Sequence, residues 1–308
     1  LENQVYPNLK DEKGVPIEPY DVTAHTLPLL MNVKVTPIYE PREFPKPPGG
    51  SGQGSGNGVD GCNGEFKYSA YRSFVPSMDE GWSRWVFEKY GDLLPRKNYC
   101  KVSFVTTTNT DFKNENLSAK VNTIIFPDQA PKAMIEGHAK GSMPDEYTGG
   151  IGKEGVANLK KFVEDGGTLV FLNRASVFAI EQFGLPLRDV TKGLERKDFF
   201  IPGSILRTNL DTNNPIAKNM PKESIAWFEN SPTFEILDKT NVEIIAKYPD
   251  NPKDILLSGW ALGAEKVAGK AALVSVKMGK GKIVLFGFRP QYRGQSLATF
   301  PLLFNSIN

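Results

Sequence analysis

The stretch 149–184 constrains the fold most, because it reads as helix, strand, sharp turn and helix in direct succession. "GKEGVANLKKFVEDGG" places Val156, Leu159, Phe162 and Val163 on one helical face and ends in glycines, which is a helix with a marked stop. "TLVFL" follows as a continuous apolar run, typical of a central strand buried on both faces. "SVFAIEQFG" then restarts the helical pattern. This succession predicts a parallel sheet with crossover helices.

The flanking sequence extends the pattern in both directions. "FKYSAY", "KVSFVTTT" and "VNTIIFPD" are strand signals, and "MDEGWSRWVFEKYG" is a helix whose residues Trp82, Trp85, Val86 and Tyr90 are predicted to form one buried stripe. After residue 190 the segments become β-type, with a hairpin turn at "KMGKGKI". The chain closes on a helix, "SLATFPLLFNSI", with Pro301 in its first turn. We therefore predict one α/β domain with a β-rich C-terminal portion.

The first 64 residues differ in composition from the rest of the chain. Residues 1–40 form a predicted arm with apolar runs, "HTLPLLMNVKVTPIY", that resemble strands. Residues 41–64 contain proline, glycine and serine too densely for regular structure and are predicted to be a linker. The main domain then spans residues 65–308. The opening "LENQVYPNL" lacks an initiator Met and a signal-peptide pattern, which predicts a processed product or a fragment.

Composition excludes several classes of function. The 308 residues include 37 Lys and Arg against 35 Asp and Glu, for a net charge of +2, so nothing favours nucleic acid as a partner. No run of about 18 apolar residues exists, which predicts no membrane span. Cys62 and Cys100 fit no disulfide framework, although a bond between them remains open. His25 and His138 have no zinc-ligand spacing, so no metal and no cofactor are predicted.

The turn after "TLVFL" is where many α/β enzymes carry a nucleophile. Here it reads Asn173, Arg174, Ala175 and Ser176, without the small glycine neighbours that such an elbow requires. Ser176 is predicted to be a helix N-cap rather than a nucleophile. The alternative, a hydrolase that uses Ser176 or Cys100, stays open at this point.

Charged residues gather where the predicted strands and helices meet. Ligands of open α/β sheets bind in the crevice at the carboxyl ends of the strands, and Arg289 and Arg293 flank an aromatic residue just past the strand "KIVLF". These side chains can bind a ligand, form ion pairs within the domain or lie solvated at its rim. The candidate binding residues are Arg72, Asp79, Glu80, Asp128, Arg174, Arg289 and Arg293.

Six separated segments, in order, carry a family resemblance. The chain resembles the C-terminal region of large bacterial zinc carboxypeptidases of the carboxypeptidase A type, in which a class I glutamine amidotransferase-like module follows the peptidase domain. The resemblance implies a flavodoxin-like parallel sheet with helices on both faces. The family's zinc ligands and the amidotransferase Cys, His and Glu have no counterpart here. The segments are "EPYDVTAHTLPLLMNV", "MDEGWSRWVFE", "GGIGKEGVANLKKFVEDGGTLVFL", "FAIEQFGLPLRDV", "PGSILR" and "GKGKIVLFGFRPQYRGQSLATFPLLFN".

The resemblance implies a non-catalytic accessory module of a secreted or periplasmic zinc carboxypeptidase. Its expected partner is the upstream peptidase domain of the same polypeptide, and the arm 1–40 is similar to the segment that trails from that domain. A homo-oligomer and a peptide or carbohydrate ligand remain open. A carbohydrate-binding or oligomerisation module is the second alternative, and exposed aromatics such as Trp227 and Trp260 along one groove would favour it.

Overall fold

The computed structural model describes residues 10, 14, 23–34, 64–91, 94, 101–113 and 116–307. The α-helices in this part of the chain are α1 Thr23–Met31, α2 Met78–Tyr90, α3 Pro131–Glu136, α4 Gly152–Glu164, α5 Ala175–Phe183 and α6 Phe300–Ile307. The strands are β1 Glu65–Arg72, β2 Lys101–Thr108, β3 Thr123–Phe126, β4 Thr168–Leu172, β5 Leu187–Asp189, β6 Pro202–Leu210, β7 Glu223–Glu229, β8 Phe234–Ile236, β9 Val242–Lys247, β10 Leu256–Ser258, β11 Ala271–Met278 and β12 Gly281–Phe286.

The parallel part of the sheet has the strand order β2-β1-β3-β4-β12. If β12 is counted as the fifth parallel strand, this is the flavodoxin-like order 2-1-3-4-5. The predicted α/β class and the flavodoxin-like sheet are therefore confirmed.

The β-rich C-terminal portion continues the same sheet. Strand β11 pairs antiparallel with β12, and β9, β6 and β10 follow outward. The predicted hairpin joins β11 to β12, and Gly279 in its turn has φ +58°, a conformation that glycine adopts without steric cost. The strand β7 pairs antiparallel with β6.

Helices cover both faces of the sheet, as predicted. Alternate residues of β4 point to opposite sides: Leu169 and Phe171 pack with α3, α4 and α5, whereas Val170 and Leu172 pack with α2 and α6. All four are fully buried. Because both faces are covered, the central strands are apolar throughout. The sheet's carboxyl edge, where β1, β3, β4 and β12 end, is left to carry polar groups.

The predicted buried stripe of α2 is wrong in part. Trp82 and Trp85 are 38% and 42% exposed, whereas Ser83, Val86 and Phe87 are buried. Sequence periodicity gives the spacing of a stripe but not its rotation toward the core. The aromatic contacts that Phe87 makes with β2 and α6 turn that residue inward, and the two indoles then lie outside.

The arm forms helix α1 where strands were predicted. Leu30 is buried against Ile205, Ile225 and Trp227 of the main domain, and the backbone N–H of Ala298 donates to the carbonyl of Leu30 at 3.0 Å. A helix satisfies its own backbone hydrogen bonds, so a short apolar run can pack on a surface without joining a sheet. Periodicity alone does not separate these two outcomes in a short run.

Several predictions fall outside the described residues. Cys62, Cys100 and the linker 41–64 apart from Gly64 lie there, so the disulfide question and the domain boundaries stay predictions. In the part of the chain that the structure describes, no helix has the length and apolar character that crossing a membrane requires.

Candidate functional site

Four of the predicted binding residues meet at the carboxyl edge of the sheet. Asp128 follows β3, Arg174 follows β4, Arg289 follows β12, and Asp79 lies in the first turn of α2, which follows β1. Parallel strands end at the same edge of a sheet, so residues far apart in the sequence come together there. Salt bridges join all four side chains into one ion-pair network.

Asp128 lies at the centre of this ion-pair network, with its side chain 1% exposed. Its Oδ1 accepts from the backbone N–H and Nε of Arg174 at 3.0 and 2.9 Å, and from Nδ2 of Asn173 at 3.0 Å. Its Oδ2 accepts from Nη2 of Arg174 at 2.6 Å and from Nη2 of Arg289 at 2.7 Å. Burial disfavours ionisation, but the two guanidinium groups outweigh it and hold the pKa of Asp128 below its usual range.

Arg289 joins three segments through the donors of one planar guanidinium. Its Nη2 reaches Asp128, its Nε donates to Oδ2 of Asp79 at 3.3 Å, and its Nη1 donates to the carboxylate and the carbonyl of Glu229 at 3.0 and 2.9 Å. The side chain is 8% exposed. The fork geometry of arginine suits this bridging role. Arg289 thus ties the end of β12 to α2, β3 and β7.

The ion-pair network holds more negative than positive groups. Two guanidinium groups, from Arg174 and Arg289, face three carboxylates, from Asp79, Asp128 and Glu229. Burial raises the pKa of Asp79 to about 6, against the attraction of Arg289 and with a contribution from the charge of Asp128. Below about pH 6, protonation of Asp79 therefore lowers the excess negative charge of the ion-pair network.

This raised pKa predicts a pH dependence of stability. Between pH 4 and pH 6 the folded state binds a proton at Asp79 that the unfolded state releases, so the contribution of Asp79 to the free energy of unfolding falls as pH rises through this range. A shift from 3.8 to about 6 corresponds to a fall of up to about 3 kcal/mol. Asp79→Asn should remove this fall, as measured by urea denaturation at a series of pH values.

The matched control is Asp165→Asn, which changes an exposed carboxyl at the end of α4. It should keep the pH profile of the wild type. If Asp79→Asn and wild type lose stability in parallel from pH 4 to pH 6, the carboxyl of Asp79 does not titrate in this range.

The turn after β4 keeps the backbone of an elbow but carries no accessible nucleophile. Asn173 has φ +53° and is buried, a conformation that an Asn tolerates better than most residues. The residue at the N-cap of α5 is Arg174, so the N-cap prediction for Ser176 is wrong. The hydroxyl of Ser176 lies inside the helix and donates to the carbonyls of Phe171 and Phe286 at 3.1 and 2.8 Å.

The other three candidate residues lie apart from the ion-pair network. Arg72 ends β1 and lines a separate cavity. Glu80 pairs with Arg84 in the next turn of α2. The guanidinium of Arg293 lies 5.3 Å from the ring centroid of Tyr292, a cation–π contact at the surface.

Three polar residues in and around the ion-pair network, Asn173, Glu229 and Gln291, were not among the predicted binding residues. Glu229 ends the antiparallel strand β7, and Gln291 donates from Nε2 to Asp79 and Ser83 at 3.3 and 3.0 Å. Within the described residues, Oδ1 of Asn173 and Oε1 of Gln291 are buried without a hydrogen-bond partner. Of these residues, Asn173 could have been predicted as a site residue from its position in the turn after β4.

The two tryptophans whose exposure along one groove would favour a carbohydrate-binding module do not share an exposed surface. Trp227 is 8% exposed and stacks on Tyr292, with ring centroids 3.8 Å apart. Trp260 is half-buried and packs edge-on against Phe200 at 5.8 Å. Among the described residues, no group of three or more His, Cys, Asp or Glu side chains could hold a metal ion.

Comparison with known proteins finds solved structures that are similar at low sequence identity. No protein-family model matches the chain, and no curated protein sequence matches it. Similar solved structures include a ThuA-like protein from Bacteroides uniformis, which is 16% identical and has a TM-score of 0.46, with 78% of this chain and 89% of that chain covered. ThuA-like proteins have a class I glutamine amidotransferase-like fold.

Two further solved structures are similar at the same level. One, from Thermoplasma acidophilum, is described as a component of GMP synthase. It is 13% identical, with a TM-score of 0.46, and the match covers 79% of this chain and 92% of that chain. The other is a β-galactosidase from Bacillus circulans sp. alkalophilus, 13% identical with a TM-score of 0.42, and the match covers 77% of this chain but 30% of that chain. None of these three is described as a carboxypeptidase. Similarity this distant assigns neither ligand nor activity.

Proposed function

We propose that this chain is a non-catalytic module, in which an enzyme-like α/β fold serves as a scaffold for binding and assembly. The observation that supports it most is the elbow after β4, which presents the amide of Asn173 where a nucleophile would stand. That amide donates to Asp128 and so belongs to the ion-pair network.

The chemistry at this edge supports the same proposal. Acyl transfer requires an accessible hydroxyl or thiol with a general base in reach. The hydroxyl of Ser176 is buried and already donates to two carbonyls. The nearest carboxylate to the elbow, Asp128, accepts hydrogen bonds at both oxygens and has a lowered pKa, so it is a poor proton acceptor. The groups at the elbow hold one another in place.

A finer proposal is that the module accompanies the peptidase domain of a secreted or periplasmic zinc carboxypeptidase. The resemblance of six ordered segments supports it. The packing of the arm supports it as well, because Leu30 of α1 is buried against β6 and β7 of the main domain. A segment seated in this way would hold an upstream domain at a fixed distance from the module.

The test is a metal and activity measurement on the purified chain. After dialysis we expect no stoichiometric zinc and no release of C-terminal residues from benzoylglycyl-phenylalanine, because a zinc peptidase needs three protein ligands, a bound water and a base. A zinc carboxypeptidase of the resembled type, assayed in parallel, is the positive control. One tightly held zinc per chain with measurable hydrolysis would overturn the non-catalytic proposal.

The carboxypeptidase partner is tested separately. Size-exclusion chromatography of the chain with the isolated peptidase domain of a bacterial zinc carboxypeptidase of the resembled type should show co-elution. Separate elution at concentrations well above a micromolar dissociation constant contradicts the finer proposal and leaves the non-catalytic one standing.

A further inference from the structure

A cavity of about 520 Å³ opens beside the ion-pair network, at the carboxyl ends of β1 and β2. In a sheet with the order 2-1-3-4-5, ligands bind in the crevice between β1 and β3, where the strand order reverses. This cavity borders that crevice, since it shares the end of β1 and the loop that follows it. The walls come from the loop between β1 and α2 and from the segment after α3. The side chains that matter most here are Arg72, Phe74, Glu80, Met143 and Tyr147.

Arg72 is a charged group of this cavity that has no partner within the part of the chain that the structure describes. Its guanidinium makes no hydrogen bond or ion pair with any described residue, and its side chain is exposed at the end of β1. Glu80, the acidic group in the wall, is held by Arg84. The free guanidinium therefore offers a planar fork of donors, which is the group that recognises carboxylates and phosphates.

Part of the lining of this cavity is apolar and aromatic. Phe74 and Tyr147 meet edge to face with ring centroids 5.6 Å apart. Tyr147 and Met143 are 49% and 44% exposed, so both side chains are accessible to a ligand. Methionine and aromatic rings together form an adaptable apolar surface. A ligand that filled the cavity would place an apolar group on this wall.

Hydrogen bonds from buried or half-buried groups hold the cavity in shape. The amide of Gln129, which is buried, donates to the carbonyl of Val75 at 2.9 Å, and the hydroxyl of Ser77 donates to the carbonyl of Asp128 at 2.9 Å. His138 is within hydrogen-bond distance of the carbonyl of Phe74 at 3.1 Å. The loop between β1 and α2 is thus fixed at three points, the carbonyls of Phe74 and Val75 and the hydroxyl of Ser77, which lowers the cost of binding a ligand.

We propose that this cavity binds a small carboxylate that carries an aromatic or aliphatic group. Arg72 pairs with the carboxylate, and Tyr147, Phe74 and Met143 contact the apolar group. The inference rests on the proposed function because it assumes that the ligand is bound without chemical change. It does not depend on the carboxypeptidase partner.

Isothermal titration of the full chain with N-acetyl-L-phenylalanine tests the proposal. We expect saturable binding, and binding weaker by about tenfold for N-acetyl-L-phenylalanine amide, because a hydrogen bond to a charged group is lost. Acetate, which lacks the apolar group, should also bind more weakly. Phenyl phosphate distinguishes a carboxylate site from a phosphate site.

The variants separate the two halves of the cavity. Arg72→Gln should weaken binding of the acid by about tenfold and leave the affinity for the amide unchanged. Tyr147→Ala should weaken binding of both ligands by a similar factor, since it removes apolar contact from each. Arg188→Gln, an exposed arginine on β5 paired with Glu235, is the matched control and should bind as the wild type does. Arg72→Lys supplies the same test if Arg72→Gln does not fold, because lysine lacks the bidentate fork.

Each contrary result has a distinct meaning. Absence of saturable binding, equal affinity in Arg72→Gln, or tighter binding of phenyl phosphate than of the acid would overturn this inference and leave the non-catalytic proposal unaffected. Mass spectrometry of the recovered ligand distinguishes failure of this inference from failure of the proposed function. If benzoylglycyl-phenylalanine is recovered chemically changed, the proposed function is overturned even if binding is confirmed.

Discussion

Asp128→Ala is expected to lower the free energy of unfolding by about 3–5 kcal/mol, because it leaves two guanidinium groups without their shared buried partner. Arg289 is the more affected of the two, since its side chain is 8% exposed and cannot turn to water as Arg174 can at 40%. The substitution also removes the acceptor of the amide of Asn173. Urea denaturation at pH 7, followed by circular dichroism, measures the loss.

The matched control is Asp250→Ala, which removes an exposed carboxylate paired with Lys247. It should change stability far less, because exposed ion pairs contribute little. A double-mutant cycle with Arg174→Ala adds a second check: the two substitutions should cost less together than the sum of the single losses. If Asp128→Ala is no more destabilising than Asp250→Ala, the ion-pair network does not stabilise the fold.

Asp79, Asp128 and Arg174 were predicted to lie at this edge, because the carboxyl ends of parallel strands meet there. Arg289 was predicted only as a charged residue past the strand "KIVLF", and Arg72, which was also expected at the edge, lies apart from the ion-pair network. Their roles depend on distances that no pattern contains. Burial raises the pKa of both carboxyls, but Asp128 lies within 2.7 Å of both arginines and its pKa is lowered, whereas Asp79 is 3.3 Å from one and its pKa stays raised.

The sequence did not predict the position of residues outside the parallel strands. Glu229 enters the ion-pair network from β7, an antiparallel strand, and no rule of strand order places the end of such a strand at this edge. The same holds for rotation: the pattern of α2 was read correctly as helical, but Trp82 and Trp85 lie outside because the contacts of Phe87 set the helix orientation. The position of Ser176 differs from the expected N-cap because α5 begins at Ala175.

Phe171→Ala, at the centre of β4, is the second substitution with a large expected effect, a loss of about 3–5 kcal/mol in the free energy of unfolding. The ring is fully buried and stacks on Phe126, with centroids 4.4 Å apart and planes 11° apart. It also approaches Phe178 and Phe183 of α5 at 6.2 and 6.0 Å. Removing it opens a cavity between the sheet and a helix, at a place where strand β4 is paired on both sides and cannot collapse inward.

Two comparisons decide whether the loss comes from this cavity. Phe171→Leu retains most of the buried apolar volume and should cost less than Phe171→Ala, since losses in a core grow with the space left empty. Phe74→Ala removes the same group from a half-buried loop and should also cost less, because its surroundings can relax. A loss below about 1 kcal/mol for Phe171→Ala would be too small for a packed aromatic core. In that case the face between β4 and α5 would be loosely filled, and the elbow that follows β4 would lack the rigid support that holds Asn173 against Asp128.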